Sequence, residues 1–200
     1  MKYSPLLLAS LLVFTASNLV AQNIVRDPGF EEDTTGWNAP YIPNDSIDRH
    51  CAFEVVKESP HSGKACARLS SEDNGRIAIS PKGTPIPVEP GEKFKVSLWI
   101  KAGKNFEGQN DQSGMLLRMD MMNGRDSVGI VTIDWKGQSR LLSPQDSPND
   151  FVTEPLPTQW TKVEAEFVVP DDTTSMRPAV FLWRGTGEFF IDDFVVERTR

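Results

Sequence analysis

The sequence predicts an antiparallel all-β sandwich. Three observations carry that reading. Apolar residues alternate with period two in one segment after another, no segment holds a helical period, and turn residues recur at short intervals. The chain has 200 residues, of which 14 are Gly and 15 are Pro. Clusters of these with Asn, Asp and Ser separate the alternating runs.

The elements follow in order. Lys2, an apolar run from Leu6 to Phe14 and the small-residue context Leu19-Val-Ala21 predict a secretory signal peptide at 1–21, cut after Ala21. The expectation is a single domain over 22–200, secreted or periplasmic. The apolar run is shorter than the ~20 residues of a membrane span, and no later stretch is long and apolar enough, so no span is expected in the mature form. Asn23-Ile-Val-Arg26 predicts a short strand, and Pro28-Gly29 a turn. Gly36-Trp37 tucks an aromatic under a loop, and 38–49 reads as loop. Strands are expected at Cys51–Val56, Ala65–Leu69 and Arg76–Ile79. Pro85, Pro87 and Pro90 then restrict their segment to an edge or a connection.

Lys93–Lys101 is the clearest strand. Phe94, Val96, Leu98 and Ile100 take one face, and Lys95, Ser97, Trp99 and Lys101 the other. Between Met115 and Met122, Leu117, Met119 and Met121 oppose Leu116, Arg118 and Asp120. A further strand is expected over Gly129–Trp135, and then a long Pro/Ser/Asp-rich connection over 136–158. Val163, Ala165 and Phe167 point inward from the run Trp160–Val169. The last run, Ala179–Glu197, is broken by Gly185-Thr-Gly187 and predicts a closing hairpin. It holds Asp192-Asp193 within an apolar strand. Buried charge is costly without a partner, and a cation shared with the acidic turn Arg26–Glu32 would supply one.

Charge excludes more than it identifies. There are 21 basic and 28 acidic residues, a formal charge of −7, and loss of Lys2 with the leader adds one negative unit. This disfavours nucleic acid and anionic membranes and favours neutral ligands or plain solubility. Cys51 and Cys66 are the two cysteines. In an oxidising compartment, on strands flanking Ser59–Gly63, they are expected to form a cross-strand disulfide; the alternative is two small buried thiols.

Several motifs then occur in order: Asn23 followed by Pro28-Gly-Phe-Glu31, Gly36-Trp37, Ser62-Gly-Lys64, Val88-Glu-Pro-Gly91 before a Phe/Trp strand, Trp160-Thr, and Phe190-Ile-Asp-Asp193. The series resembles carbohydrate-binding modules of families four, nine and twenty-two, which are galactose-binding-like jelly rolls, and it covers Asn23 to about Glu197. The resemblance implies a non-catalytic, monomeric module that binds a poly- or oligosaccharide in a groove on its concave sheet. It also implies a structural calcium held by the Gly29 carbonyl, the Glu31 side chain, the Lys64 carbonyl and Asp192, all hard oxygen ligands. His61 departs from the pattern where some relatives carry another acid. Without a metal, Glu31 and Asp192 would bond to backbone or pair with Arg68 or Arg26. Trp37 and Trp160 match structural positions.

Sugars are held by aromatic rings with polar neighbours. Outward parity selects Trp99, Arg118 and Asp120; Trp135 borders the long connection, and Trp183 lies on the last run. The competing readings are packing under a loop for Trp99 and a solvated ion pair for Arg118 with Asp120. The strand Arg76–Ile79 lacks the stacking aromatic that some relatives carry there. No Ser/His/Asp context, metal-ligand spacing or phosphate loop is present. A catalytic β-sandwich, lyase or glycosidase, therefore ranks below a binding module, and an exported structural or interaction domain is the other alternative.

Overall fold

A computed structural model describes residues 22–38, 50–107, 114–146 and 155–199. The signal peptide at 1–21 and most of the expected loop at 39–49 lie outside the described residues. The described chain is all-β: β1 Cys51–Val56, β2 Cys66–Ile79, β3 Ile86–Pro87, β4 Lys93–Ala102, β5 Gly114–Asn123, β6 Asp126–Ile133, β7 Ser139–Leu142, β8 Thr161–Val168 and β9 Ser175–Thr199.

Every pairing among them is antiparallel. The first half of β9 lies between the end of β2 and β5, and β6 and β7 continue that layer. Its second half lies between the start of β2 and β4, with β1 and β8 outside them. β2 and β9 thus belong to both layers of a jelly-roll sandwich, and they pass from one to the other through irregular register at Ser71–Arg76. Bulges and bends are how strands turn such corners.

The core lies between the layers, where the alternation placed it. Phe94, Val96, Leu98 and Ile100 of β4, with Val163, Ala165 and Phe167 beside them on β8, share one cluster with Leu117, Met119 and Met121 of β5 in the other layer. Trp37 is buried and stacks on Phe30 with ring centroids 4.4 Å apart, a contact worth about 0.5–1.5 kcal/mol beyond burial. Trp160 is only half-buried, and its indole N–H donates to the Ser59 carbonyl at 3.0 Å.

Four expectations need correction. Ala65–Leu69 and Arg76–Ile79 are two ends of one 14-residue strand, β2. The last run is a single strand of 25 residues and not a hairpin. Its glycines serve close approach: a Cβ on Gly187 (φ 97°) would lie 2.3 Å from the Asn105 carbonyl oxygen, and one on Gly185 would lie 2.7 Å from Leu182 Cδ1. The segment at 103–107 crosses here, with Glu107 bridging Thr186. Residues 23–26 form no strand, though Ile24 N–H donates to the Val196 carbonyl and Phe194 N–H to that of Pro28, so the chain's beginning does meet its last strand. The connection at 136–158 contains β7; its residues 147–154 lie outside the described set.

The disulfide is the fifth correction. Cys51 is registered with Ser71 and Cys66 with Val56, at opposite ends of the β1–β2 ladder. Five residues of strand separate such positions by about 17 Å, far beyond disulfide reach. Both cysteines are thiols, and burial pushes the Cys66 thiol up to about 11. Unfolded without reductant, the protein is expected to yield both thiols to a colorimetric thiol reagent, with Cys66 silent in the native state. A titration finding no thiol in the unfolded chain would restore the disulfide.

Candidate functional site

The outer face of the β2–β9–β5 layer carries an open groove of about 610 Å³. Its construction follows from register. β9 sends Arg177, Ala179, Phe181 and Trp183 outward, while Met176, Val180 and Leu182 enter the core. Across β9, Arg118 is registered with Ala179 and Asp120 with Arg177 on one side, and Arg76 with Trp183 and Ala78 with Phe181 on the other. The small side chains Ala78 and Ala179 lie low and buried, so the longer ones stand as walls around a trough. Asn38 completes the lining and is tied by its side-chain amide to Ser80 Oγ at 3.1 Å.

Three of the five sugar-contact candidates, Arg118, Asp120 and Trp183, meet in this groove. Arg118 Nε donates to Asp120 Oδ1 at 2.5 Å, and its guanidinium lies 5.3 Å from the Phe181 centroid. The guanidinium of Arg76 lies 4.9 Å from that of Trp183. Across the register from the aromatic-free Arg76–Ile79 stretch, β9 presents Trp183 and Phe181. Asn38, Arg76, Arg177 and Phe181 are among the lining residues that sequence reasoning missed. Continuing the period-two pattern from Ala179 and Trp183 would have found two of them.

The other two candidates lie elsewhere. Trp99 sits on the second layer, where its ring is stacked by His61 at 3.7 Å and 15°. Trp135 follows β6 and packs against the core, with its indole N–H buried and lacking a hydrogen-bond acceptor among the described residues.

The expected metal residues do converge, at the seam between the chain's beginning and β9. Glu31 Oε1 accepts from the N–H groups of Lys64 (2.7 Å) and Ala65 (3.3 Å). Asp192 Oδ2 accepts from His61 N–H (2.9 Å) and Ser62 N–H (3.1 Å), and Oδ1 from Asp193 N–H (2.8 Å). A Cβ on Gly29 would lie 3.8 Å from Asp192 Oδ1 and 3.6 Å from Asp193 Oδ1. Asp193 in turn takes His61 Nδ1 at 2.7 Å and Ser62 Oγ at 2.8 Å. Arg68 pairs instead with Glu54 and Glu188, and Arg26 with Glu32.

A bulge explains how two acids fit into an apolar strand. The β4–β9 register slips between Ser97 and Trp99, and Asp193 has φ 49°. Ile191 and Phe194 can then both reach the core despite their odd spacing. Asp192 is fully buried, and burial pushes its pKa up to about 6, with the charge of Asp193 adding to the rise against opposing backbone hydrogen bonds. Among the described residues no three or more His, Cys, Asp or Glu side chains gather around a metal position. A cation here would rest on Glu31, Asp192 and backbone carbonyls. That all-oxygen donor set fits calcium.

No protein-family model matches the chain, and no curated protein matches it by sequence. Solved structures do match. A family 16 carbohydrate-binding module superposes with a TM-score of 0.53 at 13% identity, covering 87% of this chain and 99% of that one. The C-terminal family 22 carbohydrate-binding module of a Clostridium thermocellum protein gives 0.54 at 14% identity, covering 86% and 90%. The fold is that of carbohydrate-binding modules. The enzymatically active domain of bacteriophage CBA120 tailspike protein 4 also superposes, with a TM-score of 0.59 at 13% identity; the match covers 88% of this chain but only 21% of that one.

Within the module fold the seam ties the first turn to the last strand, and Asp192 is its centre. Asp192→Asn places an amide NH₂ where one of three backbone N–H donors needs an acceptor. Stability measured by urea unfolding is expected to fall by about 1–3 kcal/mol. A gain would mean that relief of the buried charge outweighs the lost acceptor.

Proposed function

We propose that this protein is an exported, non-catalytic module that binds a poly- or oligosaccharide in the groove on the β2–β9–β5 face. The observation that carries the reading is an open trough that gathers two aromatic rings, Phe181 and Trp183, with Arg76, Arg118, Asp120, Arg177 and Asn38. Its volume lies within the range of small-molecule sites. Rings beside hydrogen-bonding side chains are what saccharide recognition requires, and a purely structural domain would fill or flatten this face. The Clostridium thermocellum module is described as binding its ligand through amino acids of its cleft, which supports the same use of a groove here. Among the described lining residues Asp120 is the single carboxylate. Hydrolysis of a glycosidic bond ordinarily uses a pair of them about 5–10 Å apart, so the lining favours binding over catalysis.

Affinity electrophoresis against a panel of polysaccharides tests the reading. Retardation by at least one glycan is expected. Trp183→Ala should weaken it by about tenfold or more, because the ring lines the trough and also holds the Arg76 guanidinium over its face at 4.9 Å. Trp99→Ala, on the other layer beneath His61, should leave it unchanged. Loss with Trp99→Ala alone would move the site off this groove.

At the seam, a structural calcium is part of the same proposal. Glu31, Asp192 and the carbonyls of Gly29 and Lys64 would hold it, and it would offset the buried charge of Asp192. Because a ligand that binds only the folded state stabilises it by mass action, a chelator is expected to lower the melting temperature and added calcium to restore it. Melting that ignores both would assign the seam to backbone hydrogen bonds alone.

A further inference from the structure

Resting on the groove as the glycan site, we infer that its ligand is an anionic saccharide, one that carries carboxylate or sulfate groups. Among the described residues the lining brings Arg76, Arg118 and Arg177 together with one acid, Asp120. The groove is therefore locally basic in a chain whose overall formal charge is −7. Three cations thus gather on one face of three neighbouring strands, with only Arg118 paired to the lining carboxylate. Core contacts are made by the opposite face of the same strands.

The arrangement of the aromatic rings points the same way. A neutral sugar stacks its C–H face on a bare ring. Here guanidinium groups lie over both rings, Arg76 over Trp183 at 4.9 Å and Arg118 over Phe181 at 5.3 Å. The rings hold the cations in place by cation–π attraction. A ligand entering the trough meets planar forks of N–H donors, whose geometry matches carboxylate and sulfate oxygens two at a time.

Donors remain for it. Asp120 engages Arg118 through Nε, so the terminal nitrogens of that guanidinium carry no protein hydrogen bond among the described residues. Arg177, opposite Asp120 in the ladder, is exposed and makes no ion pair among the described residues. Arg140 extends the row outward. Arg118 is registered with Thr132, and Thr132 with Arg140 on β7, so a fourth guanidinium stands on the same face. A linear polymer lying across β9, β5, β6 and β7 would pass these cations in succession.

The test uses the purified protein in affinity gels that contain polygalacturonate, its fully methyl-esterified form, a sulfated carrageenan, its desulfated form, or neutral xylan. An acidic polymer is expected to retard the protein at least about tenfold more strongly than its neutralised counterpart, the size of one or two charge-assisted hydrogen bonds. Raising the salt should weaken that retardation. The polygalacturonate and carrageenan lanes separate carboxylate from sulfate as the recognised group. Arg177→Gln, an exposed change expected to leave the melting temperature in place, should weaken binding to the acidic polymer by about tenfold, and Arg118→Gln by at least as much. Equal retardation by an acidic polymer and its neutralised form, or an Arg177→Gln variant that binds as the wild type does, would overturn the anionic assignment and leave a groove for neutral glycans. Retardation by no polymer at all would overturn that assignment together with the glycan reading.

Discussion

The hydrogen-bonding of β9 on both its edges is the constraint on which the rest of the sandwich depends. Through 25 residues it is paired with β2 on one side, and with β5 and then β4 on the other. A strand shared by two layers must turn between them, and it does so where Gly185 and Gly187 admit the crossing 103–107 segment. Any side chain at Gly187 would have to displace the Asn105 backbone. The same strand therefore sets two sites at once. Its first half presents Arg177, Phe181 and Trp183 to the groove, and its second half carries Asp192 and Asp193 into the seam.

Those two sites handle charge in opposite ways. At the seam, a carboxylate removed from water is met by three backbone N–H donors, and its raised pKa shows that they do not fully offset the loss of hydration. In the groove, charge stays near the surface, and guanidinium groups rest on aromatic faces where hydration is retained. Net charge gives no warning of this. It is a sum over the whole surface, whereas a ligand responds to the few groups within a Debye length of it. The acidic balance of the chain and the basic character of the groove are compatible for that reason.

Much of the fold was legible in the sequence because a strand's side chains alternate whatever the strand pairs with. The alternation in Lys93–Lys101, Met115–Met122 and Trp160–Val169 placed Phe94, Leu117 and Phe167 inward and Arg118 and Asp120 outward, as found. Trp37, expected to be tucked in, is buried against Phe30. Where reasoning went astray, a local signal had a distant cause. Gly185-Thr-Gly187 has the composition of a hairpin turn, yet its glycines answer to a segment some 80 residues earlier. Cys51 and Cys66 flank a turn, yet register sets them at opposite ends of their ladder. Asp192-Asp193 is tolerated only through a bulge, which period-two reading cannot anticipate.

By itself, the sequence determined the all-β class, most strands and the inward or outward parity of the residues in them, since these follow from period-two geometry within a few neighbouring residues. Tertiary structure alone decided which outward residues share a surface. Arg76 lies over Trp183, and Asp120 is registered opposite Arg177, because antiparallel register joins positions that lie far apart in the chain. That register is fixed by burial across the whole sandwich and not by any stretch of residues read alone.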